Sequence, residues 1–373
     1  MLKPRAIVSV INDLSTDQRV HKVCTFLTEQ GYDVRLVGRK KRDSAVLAGR
    51  IYKTHRMRLL FEKGAVFYAF FNTRLFFYLL FRRADLLVSN DLDTLLPNYL
   101  ISKLKGIRLT YDSHEYFTEV PELISRPRVK NVWERIERFV FPKLKTVYTV
   151  NNSIARLYEE KHGIPLKVVR NVSPIWTPSL VPDKQTLGIP EGKFLLIMQG
   201  AGLNIDRGVE EAIAMMQFLE DTLLLIVGDG DIIPEMKEKV QRESLSEKVL
   251  FFGKRPYAEL MFYTFHADLG LSFDQPTNPN YRFSLPNKVF DYLHAGTPVI
   301  CSDVIEVATI VRKHEIGIVL DDFGAEHMAA VLGGLLRNNA EMQRLKANCE
   351  QAAQVENWQK ETAVLAEIYP KVD

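Results

Sequence analysis

The chain runs twice through one pattern, a short β-branched apolar segment followed by an amphipathic stretch of helical length. In the first half, residues 6–11, 33–37, 86–89, 108–111 and 146–150 read as strands, and 17–31 as a helix ending on glycine. The pattern restarts with strand candidates at 194–198, 223–227, 249–252, 269–273 and 298–301. Such alternation predicts parallel sheets covered by helices on both faces. Between the two series lies RNVSPIWTPSLVPDKQTLGIP (170–190), rich in proline and without a clear period, which reads as a linker. A chain of 373 residues is long enough for two domains of ordinary size. The expected fold class is therefore α/β, with two Rossmann-like domains facing across a cleft. In open α/β sheets ligands bind beyond the carboxyl ends of the strands.

Composition narrows the function. Lys and Arg number 49 against 46 Asp and Glu, a formal charge of +3, which predicts no nucleic-acid partner. Cys24, Cys301 and Cys349 are odd in number and widely spaced, so neither a disulfide framework nor a zinc site is expected. That suits a reducing, cytoplasmic setting. The opening MLKPRAIVSVINDL turns polar too early for a signal peptide and reads as a first strand.

The segment 64–81, GAVFYAFFNTRLFFYLLF, is the one stretch that resembles a membrane span. Asn72, Thr73 and Arg74 sit in its middle, and a central arginine costs about 2.5–3.5 kcal/mol on insertion. A helix packed on the first sheet is the expectation. Peripheral contact with anionic membrane is the alternative, through the aromatic run and the basic residues Lys53, Arg56, Arg58, Lys63, Arg82 and Arg83.

Four places carry possible chemistry. QGAGLNIDRG (199–208) joins a buried strand to a helix. Gly200 and Gly202 permit close backbone approach, and Arg207 adds a fixed charge beside free helix N–H groups, which together predict a phosphate site. In LPNKVFDYLHAGTPV (285–299), Asn287 stands at a helix entry and Lys288 in the first turn, where a cation calls for an anionic partner. Asp291, one turn later, could accept two hydrogen bonds from a ribose diol. DSHE (112–115) places His114 at a strand end between carboxylates, and NDLD (90–93) places Asn90, Asp91 and Asp93 at a comparable loop, where hydroxyl binding and helix capping are both open. Gly228–Gly230 permits a tight turn after a strand and reads as scaffold. There is no G-x-S-x-G and no H-E-x-x-H, which weakens hydrolase and metalloenzyme readings.

Taken together, LPNKVFDYLHAGTPVI, VGDGD, VLFFGKRPYAEL, ADLGLSF, NDLDTLLP and YDSHE resemble, in order and along nearly the whole chain, the retaining glycosyltransferases of family four with the glycosyltransferase-B fold. The tail NWQKETAVLAEIY resembles the family's closing helix, which returns to the first domain. The implied domains are 1–170 with 356–373, on the acceptor side, and 171–355, binding a nucleotide sugar. The resemblance implies that Arg207 and Lys288 hold the donor diphosphate, that Asp291 holds the ribose, and that His114 contacts the transferred sugar. Gly200, Gly202, Gly228 and Asn287 complete the implied donor site. It also implies no cofactor and no metal, with a glycan or lipid-linked glycan as acceptor. Three positions depart from the family: Phe283 replaces an upstream glutamate, Ala201 replaces an arginine, and Asn12–Ser15 replaces a glycine pair. An epimerase of the same fold, or a non-catalytic nucleotide-sugar-binding subunit, are the alternatives.

Overall fold

The computed structural model describes residues 3–15, 17–42, 44, 46–47 and 49–372. The extreme ends of the expected domains, Met1, Leu2 and Asp373, lie outside the described residues. The chain divides into two compact units, Met1–Asn171 with Glu361–Asp373, and Val172–Lys360.

Unit 1 is built on seven parallel strands: β1 (Arg5–Asp13), β2 (Asp33–Lys40), β3 (Lys53–Arg58), β4 (Leu86–Asn90), β5 (Arg108–Ser113), β6 (Val147–Thr149) and β7 (Lys167–Val168). Their order is β3-β2-β1-β4-β5-β6-β7. Unit 2 has six: β8 (Phe194–Gly200), β9 (Thr222–Gly228), β10 (Val249–Phe251), β11 (Leu269–Ser272), β12 (Val299–Ser302) and β13 (Gly317–Leu320), in the order β10-β9-β8-β11-β12-β13. Each order reverses once, between β1 and β4 and between β8 and β11. The crevice at such a reversal is where open α/β sheets bind ligands.

Period-two alternation explains why β8 is apolar throughout. Leu196 and Met198 enter the core on one face with Val209, Ile213 and Met328. Leu195 and Ile197 enter the core on the other, with Val289, Tyr292 and Leu293. A strand covered on both faces reads as a continuous hydrophobic run. The strands β3, β7 and β13 were not anticipated. KTHRMR in β3 is an edge strand too polar to look apolar, and β7 has only two residues. The four residues of β13 also lie on an edge.

The segment 64–81 forms a helix over Gly64–Leu80 that buries Phe67, Phe71, Leu75 and Leu79, one residue per turn. This is the packed helix expected from its polar centre. Asn72 donates to the carbonyls of Tyr68 and Asp93, and the Arg74 guanidinium donates to the Arg58 carbonyl. Among the described residues no helix is long and apolar enough to cross a membrane. The opposite side of this helix leaves Val66 and Phe77 more than half exposed, and Phe81 follows just beyond it, 79% exposed.

The last helix, Trp358–Ile368, straddles the division between units. Its later part is tied into unit 1, where the Glu361 carboxylate accepts from the Arg170 backbone N–H at 2.7 Å and from its guanidinium at 2.5 and 3.0 Å. Residues 356–360 stay with unit 2, because the His294 ring meets the Glu356 carbonyl at 3.0 Å and Trp358 N–H donates to the Ser173 carbonyl at 3.0 Å.

Candidate active site

In unit 2 the residues gather at the β8/β11 reversal. The loop after β8 is pressed onto the end of β11. Gly208 has φ +84°, and a Cβ there would stand 2.2 Å from that of Phe273, so only glycine fits. Gln275 N–H donates to the Asp206 carbonyl at 2.9 Å, and the Thr277 hydroxyl to the Asp206 carboxylate at 2.9 Å. The loop after β9 is held as closely. Gly228 pairs with Gly200, and a Cβ on Gly228 would lie 1.9 Å from the Gly200 carbonyl oxygen.

This packing brings Arg207 and Lys288 to one carboxylate. Arg207 Nη1 donates to Asp274 Oδ1 at 2.7 Å, and Lys288 Nζ lies 3.3 Å from Asp274 Oδ2. Asp274 is 1% exposed and Lys288 7%. Burial pushes the Asp274 carboxyl up, but Lys288 and Arg207 outweigh it and hold it below its usual value. Burial dominates for Lys288 and lowers its pKa, against the pull of Asp274. The guanidinium of Arg207 also lies over the Tyr281 ring, 3.9 Å from its centroid. Two cations sharing one carboxylate leave a net positive site.

The remaining expected donor residues separate. Gly202 and Asn287 are exposed. Asp291 is buried and bound within the protein. Its Oδ1 accepts from Ser173 Oγ at 2.5 Å and Tyr257 Oη at 2.9 Å, and its Oδ2 from Gln199 Nε2 at 3.0 Å. A ribose diol reaching this carboxylate would have to exchange with one of those donors. Asp274, Tyr281 and this trio were missed by sequence reasoning. The only signal for Asp274 was its place just past the apolar run LGLSF.

In unit 1, His114 follows β5 and sits among carboxylates from two strand ends. Its Nδ1 lies 3.2 Å from Asp91 Oδ2, and its Nε2 3.3 Å from Asp112 Oδ2 and 3.1 Å from Asn90 Oδ1. Asp91 also accepts the His114 backbone N–H at 2.8 Å. Burial lowers the imidazole pKa, but Asp91 and Asp112 overcome it and raise it to about 9. The ring is thus an imidazolium at neutral pH, a donor at both nitrogens and no general base.

Behind it Arg19 reaches Asp112 at 2.6 and 3.0 Å and donates to the Val169 carbonyl at 2.8 Å. Arg19 is 3% exposed and Asp112 fully buried. Burial raises the Asp112 pKa, yet Arg19 and His114 bring it down to about 2. Asp91 stands at the N-cap of the helix Leu92–Lys105 but makes no capping bond with its side chain, which serves His114 instead. Its φ of +56° is a left-handed conformation, uncommon outside glycine. Burial and the neighbouring Asp91 push Asp93 well above the usual carboxylate range. The first loop, in place of a glycine pair, is closed by Asp13. That carboxylate accepts from Ser15 N–H at 3.0 Å, from the hydroxyls of Ser15 and Ser44, and from Arg56 at 3.0 Å.

Two parallel-sheet units, each with one reversal of strand order, are the architecture of the glycosyltransferase-B fold, and the similarities agree. Residues 17–172 match the family described as Glycosyltransferase Family 4, and residues 182–353 that described as Glycosyl transferases group 1. The chain belongs to glycosyltransferase family 4. A phosphatidyl-myo-inositol mannosyltransferase of Mycobacterium leprae is 27% identical over 158 residues, 42% of this chain and 40% of that protein. The match therefore spans about two-fifths of that relative's length. Among solved structures, sucrose-phosphate synthase from Thermosynechococcus elongatus superposes with a TM-score of 0.82 at 16% identity, covering 98% of each chain. Anabaena HepE in complex with UDP-glucose superposes at 0.76 and 16% identity, covering 99% of this chain and 100% of that one. At such identities the likeness is one of fold.

Proposed function

We propose that the chain moves a hexose or related sugar from a nucleoside diphosphate donor to a hydroxyl of a glycan or lipid-linked glycan. The observation that carries this reading is the meeting of Arg207 and Lys288 on Asp274 at the β8/β11 reversal. There, two fixed cations stand where a leaving diphosphate gathers charge, and preorganised charge of this kind is a large catalytic contribution. The bond from the anomeric carbon to the diphosphate oxygen breaks as the acceptor oxygen bonds to that carbon. The acceptor proton passes to the departing diphosphate, on the same face, so configuration is retained. His114 takes no part as a base, since its ring is already charged; donation to the sugar would require one ring N–H to leave Asp91 or the Asp112 and Asn90 pair that hold it. In this reading the cations do the work of a metal and no cofactor is used. The three cysteines are free and buried, which suits a reducing cytoplasm.

A panel of nucleoside diphosphates and nucleotide sugars tests the reading by thermal unfolding. At 100 times its dissociation constant, the cognate donor adds about 2.7 kcal/mol of stability. Lys288→Ala should abolish that gain. A panel in which no nucleotide shifts unfolding would end the proposal, and binding without diphosphate release in the presence of acceptor would reduce the chain to a binding subunit.

A lipid-linked acceptor also gives a use to the exposed aromatic side of the helix Gly64–Leu80. Val66, Phe77 and Phe81 are exposed there beside Arg82 and Arg83, a pairing suited to the interface of an anionic bilayer. Phe77→Ser with Phe81→Ser should cut the affinity for phosphatidylglycerol vesicles at low salt about a hundredfold or more, since burying each aromatic group is worth about 1.5–3 kcal/mol. Equal flotation of both proteins would leave the helix a core element only.

A further inference from the structure

The sheet of unit 1 has a second basin at its other end, where β1, β2 and β3 begin. Lys3, Arg5, Arg50 and Lys53 line it around a cavity of about 610 Å³. Among the described residues Asp33 is the carboxylate in its wall, and Thr28, Tyr32 and Tyr52 also line it. Tyr32 and Tyr52 are buried, so the basin has a rigid aromatic base beneath a basic rim. It lies at the amino ends of strands whose carboxyl ends carry the loops described above, and shares no residue with them.

The charge is only partly spent inside the protein. Lys53 pairs with Asp33 at 2.8 Å. Arg5 is anchored through its backbone, its N–H donating to the Asp85 carboxylate at 2.8 Å and its carbonyl accepting from Asp85 N–H at 2.8 Å. That leaves Asp85 as a second acidic group near the rim. The Tyr52 hydroxyl is held by His21 Nδ1 at 2.8 Å, and His21, lowered to about 4 by burial, then by Arg50 and Lys22, adds no charge. Among the described residues, no ion pair engages the side chains of Lys3, Arg5 or Arg50. Lys3, Arg5, Arg50 and Lys53 outnumber Asp33 and Asp85 around one concave surface, and an anion relieves that excess of positive charge. The volume lies in the range of small-ligand sites.

We infer that this basin is a second anion site, binding a phosphoryl group, independent of the donor diphosphate site on unit 2. Phosphate is the matching chemistry because arginine binds its oxygens through two parallel N–H bonds while lysine supplies a point charge. The group could be presented by a free phosphorylated compound or by a phospholipid headgroup, and the two sources separate experimentally.

Equilibrium dialysis of the full chain with labelled inorganic pyrophosphate is the test. Two equivalents are expected to bind. Lys288→Ala should remove the equivalent on unit 2 and leave the other. A variant carrying Lys3→Gln, Arg5→Gln and Arg50→Gln should keep the first and weaken the second at least about tenfold, the cost of losing one charge-assisted contact. These side chains are on the rim, and an unfolding curve on the same variant checks that it folds; Arg50→Lys alone, which keeps the charge, should bind more tightly than Arg50→Gln. Sedimentation with phosphatidylglycerol vesicles then identifies the source. Weaker sedimentation of the triple variant means a lipid headgroup, and unchanged sedimentation means a free phosphate compound. A single equivalent in the wild type, lost entirely in Lys288→Ala, would overturn the inference. So would a second equivalent bound equally well by the triple variant.

Discussion

Replacing Lys288 by alanine is expected to lower turnover by about a hundred- to a thousand-fold, the usual cost of one preorganised electrostatic donor. Charge grows on the departing diphosphate only in the transition state, so the loss should fall mainly in kcat. Arg207→Ala should lose a comparable factor. The two losses should not multiply, because both cations act on one leaving group through one carboxylate. Read from sequence, these variants would unfold like the wild type. The structure alters that expectation for Lys288. Its removal leaves Asp274, 1% exposed, with Arg207 as its remaining cation, so stability should also drop by about 1–3 kcal/mol. Assays well below the unfolding transition, with turnover and melting measured on the same preparation, keep the two effects apart. Full turnover by Lys288→Ala, with the correct donor and acceptor, would remove it from the site.

The same pair shows where a sequence can be read and where it cannot. Arg207 was visible because glycines, a preceding apolar run and a following helix mark a strand-to-helix loop. Lys288 was visible because a cation in a first helical turn is locally unfavourable. Asp274 was not, since nothing within a few residues marks it. Its importance comes from Gly208 lying against Phe273, 65 positions away, a contact that exists only after β8 and β11 have paired. Arg19 is the same case in unit 1. On its own helix it looks like a surface residue, and only the parallel order β1-β4-β5 brings Asp112 to it. Strand positions were legible where both faces are buried, as in β8 and β9. They were hidden where an edge strand is polar, as in β3. Asp291 was expected to hold a ribose, but Ser173, Gln199 and Tyr257, which donate to it, come from elements no local pattern connects to it.

His114 gives the second large expectation, a fall in stability as pH rises. Its pKa is raised from 6.5 to about 9, so the folded state holds a proton that the unfolded chain releases. The stabilisation is complete below pH 6.5 and is lost as pH climbs through 9. The difference corresponds to on the order of 3 kcal/mol across that window. Other groups push elsewhere. His21, His55 and His294 are lowered, each by burial first, so their effect runs the opposite way and ends near pH 6.5. The buried Cys24, Cys301 and Cys349 are raised and would also lower stability with pH, but only near 9 and above. Asp93, raised well above the usual carboxylate range by burial and by Asp91, adds a fall of the same sign, so between pH 6.5 and 8.5 the slope is that of His114 together with Asp93. Urea unfolding at half-unit steps should show stability falling with pH, His114 contributing about 1.4 kcal/mol per pH unit at most. In His114→Asn the overall stability should be lower at pH 6.5, because Asp91 and Asp112 lose a cation, and the slope should lose the share that belongs to His114. A flat wild-type profile over this range would mean that the ring is neutral in the folded protein. It would then have a nitrogen free to accept a proton, and the assignment of His114 as a donor only would fall with it.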